Sequence, residues 1–239
     1  MRFNNVLIAV GFAALLVSFL NRNNIPGIID YVPAIESEPQ QTRTDAQPFH
    51  ATVNGVQYLI EPEYAYDLTG LIVSYRHHEG NSRMHRRASD HLNMLDVCVI
   101  WGDNTRSDLQ AIDFWNGIFT CNVFTRDQQA WDSFDMNQLS NNHLISDDEF
   151  IRQQVRKIRI GDQIRVRGYL ASYSNNGGSK RGTSTTRTDT GDGACETVYV
   201  DSFNILQPAT SYWRISMWAS LALLAAGLVI HFKRPYKPY

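Results

Sequence analysis

Two apolar stretches lie near the ends of the chain, and a long polar segment separates them. Residues 6–20 read VLIAVGFAALLVSFL, and residues 215–232 read ISMWASLALLAAGLVIHF. As helices that rise about 1.5 Å per residue they would be roughly 22 and 27 Å long, against about 30 Å for the hydrocarbon core of a bilayer. The pattern predicts a membrane anchor at 1–20, a transmembrane helix at 213–232 and a basic tail at 233–239.

Basic residues near these two stretches predict the orientation of the chain. Four of them lie at the outer ends of the stretches, namely Arg2, Lys233, Arg234 and Lys237, whereas each inner end has a single arginine. Because Lys and Arg favour the cytoplasmic side, we expect both termini there and residues 21–211 outside. Two alternatives stay open: the first stretch is a cleaved signal peptide, or the second is a buried core helix.

The polar segment divides into a linker and a folded domain. Residues 21–50 are rich in Pro, Glu and Gln and have no apolar period, which predicts an extended linker. Residues 51–210 form the predicted β-rich domain. Alternating or β-branched stretches predict strands at 50–60, 68–75, 97–101, 118–124, 164–173 and 196–205.

Two helices are predicted among these strands. The first, at 127–134, is weakly marked. The second begins at Ser146 and Glu149, which have the spacing of a capping box, and an apolar stripe follows them. Residues 141–143, Asn-Asn-His, are predicted to cap that helix or to form a turn before it. Residues 175–193 are rich in Gly, Ser and Thr, which predicts a long exposed loop.

The order of these elements resembles the OB fold. The resemblance rests on LTGLIVS at 68–74 as a first strand with a central glycine, and on GDQIRVRGYL at 161–170 as a later strand after the helix. It covers residues 68–205. It implies a mainly β fold, an OB-like closed barrel with one inserted α-helix, here flanked by terminal transmembrane helices. Likeness at the level of a fold implies no particular function.

The three cysteines bear on the compartment. If Gly102 and Gly117 face each other across a hairpin, Cys98 and Cys121 fall opposite one another and are the predicted disulfide; the alternative is no disulfide. The chain has no C-x-x-C motif and no Asn-x-Ser/Thr sequon. The first absence gives no support to a thioredoxin-like site or a zinc knuckle. The second fits the envelope of a bacterium, with the domain on the periplasmic side of the inner membrane.

The net charge of residues 21–211, which we expect to lie outside the membrane, indicates which partners they bind. All 24 acidic residues and 17 of the 22 basic residues fall within 21–211, which gives a formal net charge of about −7. Proteins that bind nucleic acid usually carry the opposite balance. We therefore expect membrane and protein partners and no nucleic acid.

A group of histidines offers one candidate metal site. His77, His78 and His91 lie close together in sequence, near Asp90 and Asp96. Imidazole and carboxylate are good ligands for zinc, copper and nickel, so a divalent metal is the one cofactor that the sequence suggests. The alternative is a solvated polar loop, because the spacing matches no helical pair.

The Gly/Ser/Thr-rich loop offers a candidate ligand site. It carries the charged residues Arg181, Arg187, Asp189 and Asp192 among hydroxyl groups and glycines. Such a loop can hold a phosphate, a sugar or a calcium ion, although the phosphate-loop and EF-hand spacings are absent. The alternative is a flexible turn.

The sequence assigns no catalytic residue. G-x-S-x-G and H-E-x-x-H are missing, and Cys195 has no histidine neighbour in sequence, which leaves a pairing in space open. A metal-dependent hydrolase remains an alternative, with a barrel-type nuclease site formed by Asp67, Asp96, Asp103 and either Arg76 or Arg167.

The interpretation that these patterns favour is a membrane-anchored, extracytoplasmic β-barrel that acts as a binding or scaffold protein in the bacterial envelope. The alternatives are a membrane-tethered metal-dependent hydrolase and a module that binds a small ligand or a polysaccharide.

Overall fold

The computed structural model describes residues 3–78, 89–117, 119–186, 188 and 194–233. The chain forms two compact units, one of Met1–Pro26 with Thr210–Tyr239 and one of Gly27–Ala209. The first contains two apolar helices, and the second is mainly β.

The elements of the described residues are as follows. The α-helices are α1 (Phe3–Asn21), α2 (Gln128–Asp132), α3 (Glu149–Val155) and α4 (Tyr212–Lys233), and short 3₁₀ helices cover Pro33–Glu36, Gly102–Arg106 and Met136–Gln138. The strands are β1 (Gln40–Arg43), β2 (Phe49–Val53), β3 (Val56–His77), β4 (Asn93–Ile100), β5 (Asp113–Asn116), β6 (Cys121–Phe124), β7 (Leu139–Ile145), β8 (Gln163–Asn175), β9 (Lys180–Arg181) and β10 (Glu196–Gln207).

Helices α1 and α4 are each long and apolar enough to cross a membrane. They pack antiparallel, and Gly11 lies against Leu224. Near the start of α1 and the end of α4, the Asn4 side-chain nitrogen is 2.9 Å from His231 Nδ1. A Cβ atom on Gly11 would be 3.0 Å from the Leu224 backbone nitrogen, so glycine permits this close approach. The first residues of α1 and the last residues of α4 therefore lie at the same end of the helix pair.

Five long strands dominate the β unit. Strand β3 pairs antiparallel with both β4 and β8, β4 pairs antiparallel with β7, β7 pairs parallel with β10, and β10 pairs antiparallel with β8. This series of pairings starts and ends at β3. The shorter strands β1 and β2 also pair with β3, β9 pairs with β8, and β5 and β6 form a separate hairpin.

Apolar side chains from the long strands form the core, as the β-branched stretches predict. Fully buried members include Ile60, Leu71, Ile72, Val97, Val99, Leu144, Val166, Leu170 and Val198. The predicted strands at 50–60 and 68–75 differ from the structure, because β3 runs continuously through the polar stretch between them. A register shift at Pro62–Tyr64 accommodates the proline.

The predicted linker at 21–50 is wrong for its later part, which belongs to the β unit. The side chain of Gln163 accepts a hydrogen bond from the Val32 amide at 2.7 Å and donates one to the Asp30 carbonyl at 2.7 Å. Ile35 is fully buried, and β1 pairs with β3. A strand can pair through its backbone without an apolar pattern of side chains. The polar composition of this segment therefore does not predict strand β1.

The structure also corrects the start of helix α3. Its N-cap is Asp148, whose side chain accepts hydrogen bonds from the amides of Phe150 and Ile151. Ser146 instead donates its hydroxyl to the Val200 carbonyl. The capping box predicted from Ser146 and Glu149 is therefore replaced by a single aspartate cap, two residues further along the chain.

Candidate functional site

Strand register places a row of polar side chains on one face of the sheet. In the β4–β7 ladder Asp96 lies opposite His143, and in the β7–β10 ladder His143 lies opposite Thr197. Side chains of directly opposed residues lie on the same face, and alternate residues return to that face. Asn141, two residues before His143 and opposite Cys98, therefore lies on this face as well.

Asp96 binds two histidines. One carboxylate oxygen, Oδ1, is hydrogen-bonded to His143 Nδ1, and the other, Oδ2, lies 2.7 Å from His78 Nε2. The aspartate side chain is fully buried, and both histidine side chains are 5% exposed. Burial raises the pKa of Asp96, but the hydrogen bonds from His143 and His78 outweigh it and hold that pKa well below its usual range.

His143 connects Asp96 to a free thiol. Burial lowers the pKa of His143, but its hydrogen bonds to Asp96 and to the Cys195 thiol prevail and raise the pKa to about 9. The imidazole is thus an imidazolium at neutral pH, with a carboxylate on one side and a sulfur atom on the other.

Cys195 precedes strand β10 and is partly exposed. Its thiol donates to the Phe119 carbonyl at 3.2 Å, and its sulfur accepts a hydrogen bond from the Asn141 side-chain amide at 3.3 Å. We call Cys195, His143, Asp96 and His78 the thiol cluster. A thiol, an imidazole and a carboxylate in this order are the parts of an activated cysteine nucleophile.

The β5–β6 hairpin covers this cluster. A disulfide between Cys98 in β4 and Cys121 in β6 attaches the hairpin to the sheet, and Asn116 in β5 donates to Asn141 at 3.2 Å. Phe119, in the hairpin turn, has a φ of 60° and packs its ring edge-on at 5.7 Å from the His143 ring. The hairpin therefore positions both the aromatic ring and the carbonyl that contact the cluster.

The bonded cysteines are the pair that the sequence predicts, but the expected cross-strand arrangement is absent. Cys98 lies opposite Asn141 of β7, and Cys121 lies opposite Asn116 of β5. The two cysteines are joined between separate sheets, with a Cα–Cα distance of 5.7 Å.

The three histidines predicted as metal ligands line one cleft of about 580 Å³, together with Arg152 and Asp147. His78 directs Nε2 to Asp96. The part of the chain that the structure describes has no group of three His, Cys, Asp or Glu side chains that could hold a metal ion. The cleft thus brings His77, His78 and His91 together without forming a metal centre among these residues.

The three aspartates of the predicted nuclease-type site have different partners, and each candidate arginine lies with one of them: Arg167 contacts Asp67, and Arg76 is opposite Asp96 in the β3–β4 ladder. Asp67 is held by Arg165, whose Nε and Nη2 lie 2.9 and 2.7 Å from its oxygens, and by Arg167 at 3.0 Å. The hydrogen bond from Arg165 is the main cause that lowers the pKa of Asp67. Asp103 pairs with the exposed Arg106, and Asp96 belongs to the thiol cluster.

Of the four predicted ligand residues of the Gly/Ser/Thr-rich loop, Arg181 lies beside the thiol cluster. Its guanidinium carbon is 3.9 Å from the centre of the Phe119 ring. Arg187, Asp189 and Asp192 lie outside the described residues.

The sequence alone does not predict the thiol cluster as a unit. The sequence suggests a metal-holding role for Asp96 and a helix cap or a turn at His143, although residues 139–145 form the buried strand β7. One signal was available: Asp96 is the only charged residue in the apolar stretch MLDVCVIW. A buried carboxylate requires a partner, which points to residues elsewhere in the fold.

Comparison with known protein families, characterised proteins and solved structures finds no match for this chain.

Proposed function

We propose that this protein is a membrane-anchored, thiol-dependent acyl hydrolase or acyltransferase, with Cys195 as the nucleophile. The observation that carries the proposal is the position of Cys195 beside His143, which is itself hydrogen-bonded to Asp96. His143 is the proton donor and acceptor, and Asp96 fixes its tautomer and orientation. Asn141 is a positioning residue, since its amide donates to the sulfur.

The proposed reaction has two steps. The Cys195 thiol releases its proton to solvent and the thiolate attacks the carbonyl carbon of an ester or amide. The leaving group departs with the proton of the His143 imidazolium, and a thioester forms. The neutral imidazole then takes a proton from water. The resulting hydroxide displaces the acyl group as a carboxylic acid, and the thiolate–imidazolium pair is restored. In a transferase another nucleophile takes the place of water.

A closed barrel of the OB type is part of the proposal. Its support is the series of pairings β3–β4–β7–β10–β8–β3, with helix α3 lying between β7 and β8 in the chain. In such a barrel the cluster lies on the face of strands β4 and β7, and the hairpin is an insertion between those two strands.

The β unit is proposed to lie outside the inner membrane of a bacterium. The basic residues at the outer ends of the two apolar stretches favour cytoplasmic termini. The Cys98–Cys121 disulfide fits an oxidising compartment such as the periplasm.

Alkylation of the single free thiol tests the proposed activation. The full-length protein in detergent is treated with iodoacetamide at pH 6, and the modification of Cys195 is followed by mass spectrometry. His143→Gln should slow the reaction by about tenfold, because the sulfur loses the positively charged ring beside it. His50→Gln, which removes an exposed histidine, is the matched control and should leave the rate unchanged. Equal rates in the wild type and His143→Gln would contradict the proposal.

A second candidate function is a binding or scaffold protein of the envelope. The observation that favours it is a pair of exposed aromatic side chains on the β5–β6 hairpin, Trp115 at 48% and Phe124 at 47% exposure. Purification from solubilised membranes should then recover a protein partner with the wild type, and Trp115→Ser should lose it. Recovery of the same partner with both proteins would rule out this surface.

A further inference from the structure

Arg181 has an unusual environment for a charged side chain. Its Nη1 atom is buried, and none of the described residues accepts a hydrogen bond from it. Two other arginines of the β unit are well paired: Arg152 donates hydrogen bonds to three backbone carbonyls, and Arg165 forms a two-point contact with Asp67. A buried donor without an acceptor is costly, and the cost is greater when the donor is charged.

Packing on Phe119 holds the guanidinium in this position. The guanidinium carbon lies 3.9 Å from the ring centre, within the range of a cation–π contact. A guanidinium that stacks on an aromatic ring still has its N–H groups directed outward in its own plane. That planar fork matches the two oxygens of a carboxylate.

Arg181 is linked to the thiol through one residue. The Phe119 ring contacts Arg181, and the Phe119 carbonyl accepts a hydrogen bond from the Cys195 thiol. The same ring packs on His143. An anionic group bound by Arg181 would therefore lie next to the atoms that react in the proposed function.

We infer that Arg181 binds a carboxylate of the substrate, so that the substrate is an acyl compound with a free carboxylate near its reactive carbonyl. This inference rests on the proposed function. The formal charge of about −7 over residues 21–211 disfavours polyanions such as nucleic acids, whereas a single carboxylate needs only one cation.

Two reagents that differ only in charge test the inference. Iodoacetate carries a carboxylate beside its reactive carbon, and iodoacetamide carries a neutral amide in the same place. Both alkylate Cys195, the one free cysteine of the chain. The ratio of the iodoacetate rate to the iodoacetamide rate, measured on full-length protein in detergent, reports recognition of the carboxylate separately from the reactivity of the thiol.

Arg181→Gln should lower this ratio by about tenfold, the effect of one charge-assisted hydrogen bond. Lys180→Gln is the matched control, because it removes an exposed positive charge one residue away and should leave the ratio within twofold of the wild type. Arg181→Lys, which keeps the charge and loses the planar fork, should recover only part of the ratio. An unchanged ratio in Arg181→Gln would overturn the inference.

A measurement on the wild type keeps the test independent of whether the variants fold. Propionate should protect Cys195 from iodoacetamide, and propionamide should not. Protection by inorganic phosphate but not by propionate would overturn the carboxylate assignment, as would equal protection by propionate and propionamide.

If the proposed function is wrong, the result differs. Iodoacetamide then alkylates Cys195 in His143→Gln as fast as in the wild type, whatever the ratio of the iodoacetate rate to the iodoacetamide rate.

Discussion

At the scale of single residues, Asp96 decides how the site is built. Its side chain is fully buried, and each of its carboxylate oxygens binds a different histidine. Removal of one partner from such a buried ionic group leaves uncompensated charge, which is why these contacts are sensitive to substitution. The same contacts hold the imidazole that faces Cys195, so stability and reactivity depend on one carboxylate.

Asp96→Asn should lower the free energy of unfolding by about 3 kcal/mol, because two buried histidines lose their anion. The measurement is urea denaturation of the full chain in detergent, followed by fluorescence. Asp103→Asn is the matched control: its side chain is 72% exposed and its partner Arg106 is 62% exposed, so the change should be within about 0.5 kcal/mol. Similar losses for both variants would show that Asp96 has no special role.

The raised pKa of His143 predicts how stability depends on pH. The pKa is about 9 in the folded protein against an ordinary value of 6.5, so folding stabilises the imidazolium. This contribution is fully present below pH 6.5 and is lost as the pH rises through 9. The lowered pKa of Asp96 contributes stability above its ordinary value, and this contribution is lost as the pH falls through the pKa of the folded protein.

The wild type should therefore lose stability between pH 6.5 and 9, and His143→Gln should show a flatter profile over that range. Thermal unfolding at fixed ionic strength measures both profiles. A wild-type melting temperature that is constant from pH 6.5 to 9 is incompatible with the assigned protonation of His143.

At the scale of elements, the β5–β6 hairpin connects the sheet to the thiol cluster. The Cys98–Cys121 disulfide closes a loop with a sequence separation of 23 residues and attaches the hairpin to β4. The carbonyl and the ring of Phe119 then contact Cys195 and His143. The disulfide therefore helps to hold Phe119 in contact with Cys195 and His143.

The paired substitution Cys98→Ser and Cys121→Ser should lower the free energy of unfolding by about 3 kcal/mol, the expectation for a loop of this length. It should also speed alkylation of Cys195, because Phe119 is no longer held over it. Dithiothreitol should reproduce both effects in the wild type and have no effect on the variant. A variant as stable as the wild type, with the same alkylation rate, would mean that the disulfide does not hold the hairpin.

The elements also show what the sequence could and could not predict. The two apolar helices and the strands at 68–75, 164–173 and 196–205 were predicted because their side chains carry a clear apolar pattern. Strand β7 was missed because residues 140–143 are polar although buried, and their partners lie on other strands. The thiol cluster could not be predicted as a unit, since strand register, set by the whole sheet, brings Asp96 and His143 together across 47 residues of sequence.

At the scale of the whole molecule, the antiparallel contact of α1 with α4 places the start of α1 and the end of α4 at one end of the helix pair. With the basic residues counted on that side, this predicts a cytoplasmic location for the termini.

Cysteine accessibility tests this topology. In a Cys195→Ser background, a membrane-impermeant maleimide should label Gln57→Cys, on the exposed side of β3, in intact cells. Tyr239→Cys should be labelled only after the cells are permeabilised. Labelling of Tyr239→Cys in intact cells, or of Gln57→Cys only after lysis, would reverse the orientation.

The covalent intermediate is the most direct test of the central claim, that Cys195 is a nucleophile activated by His143 and Asp96. Full-length protein in detergent is mixed with p-nitrophenyl acetate, quenched in acid and analysed by intact mass and peptide mapping. We predict an acetyl group on Cys195 in the wild type, formed about a hundredfold more slowly in His143→Gln and absent in Cys195→Ala. An unmodified Cys195 in the wild type, or equal rates of acetylation in the wild type and His143→Gln, would contradict the account.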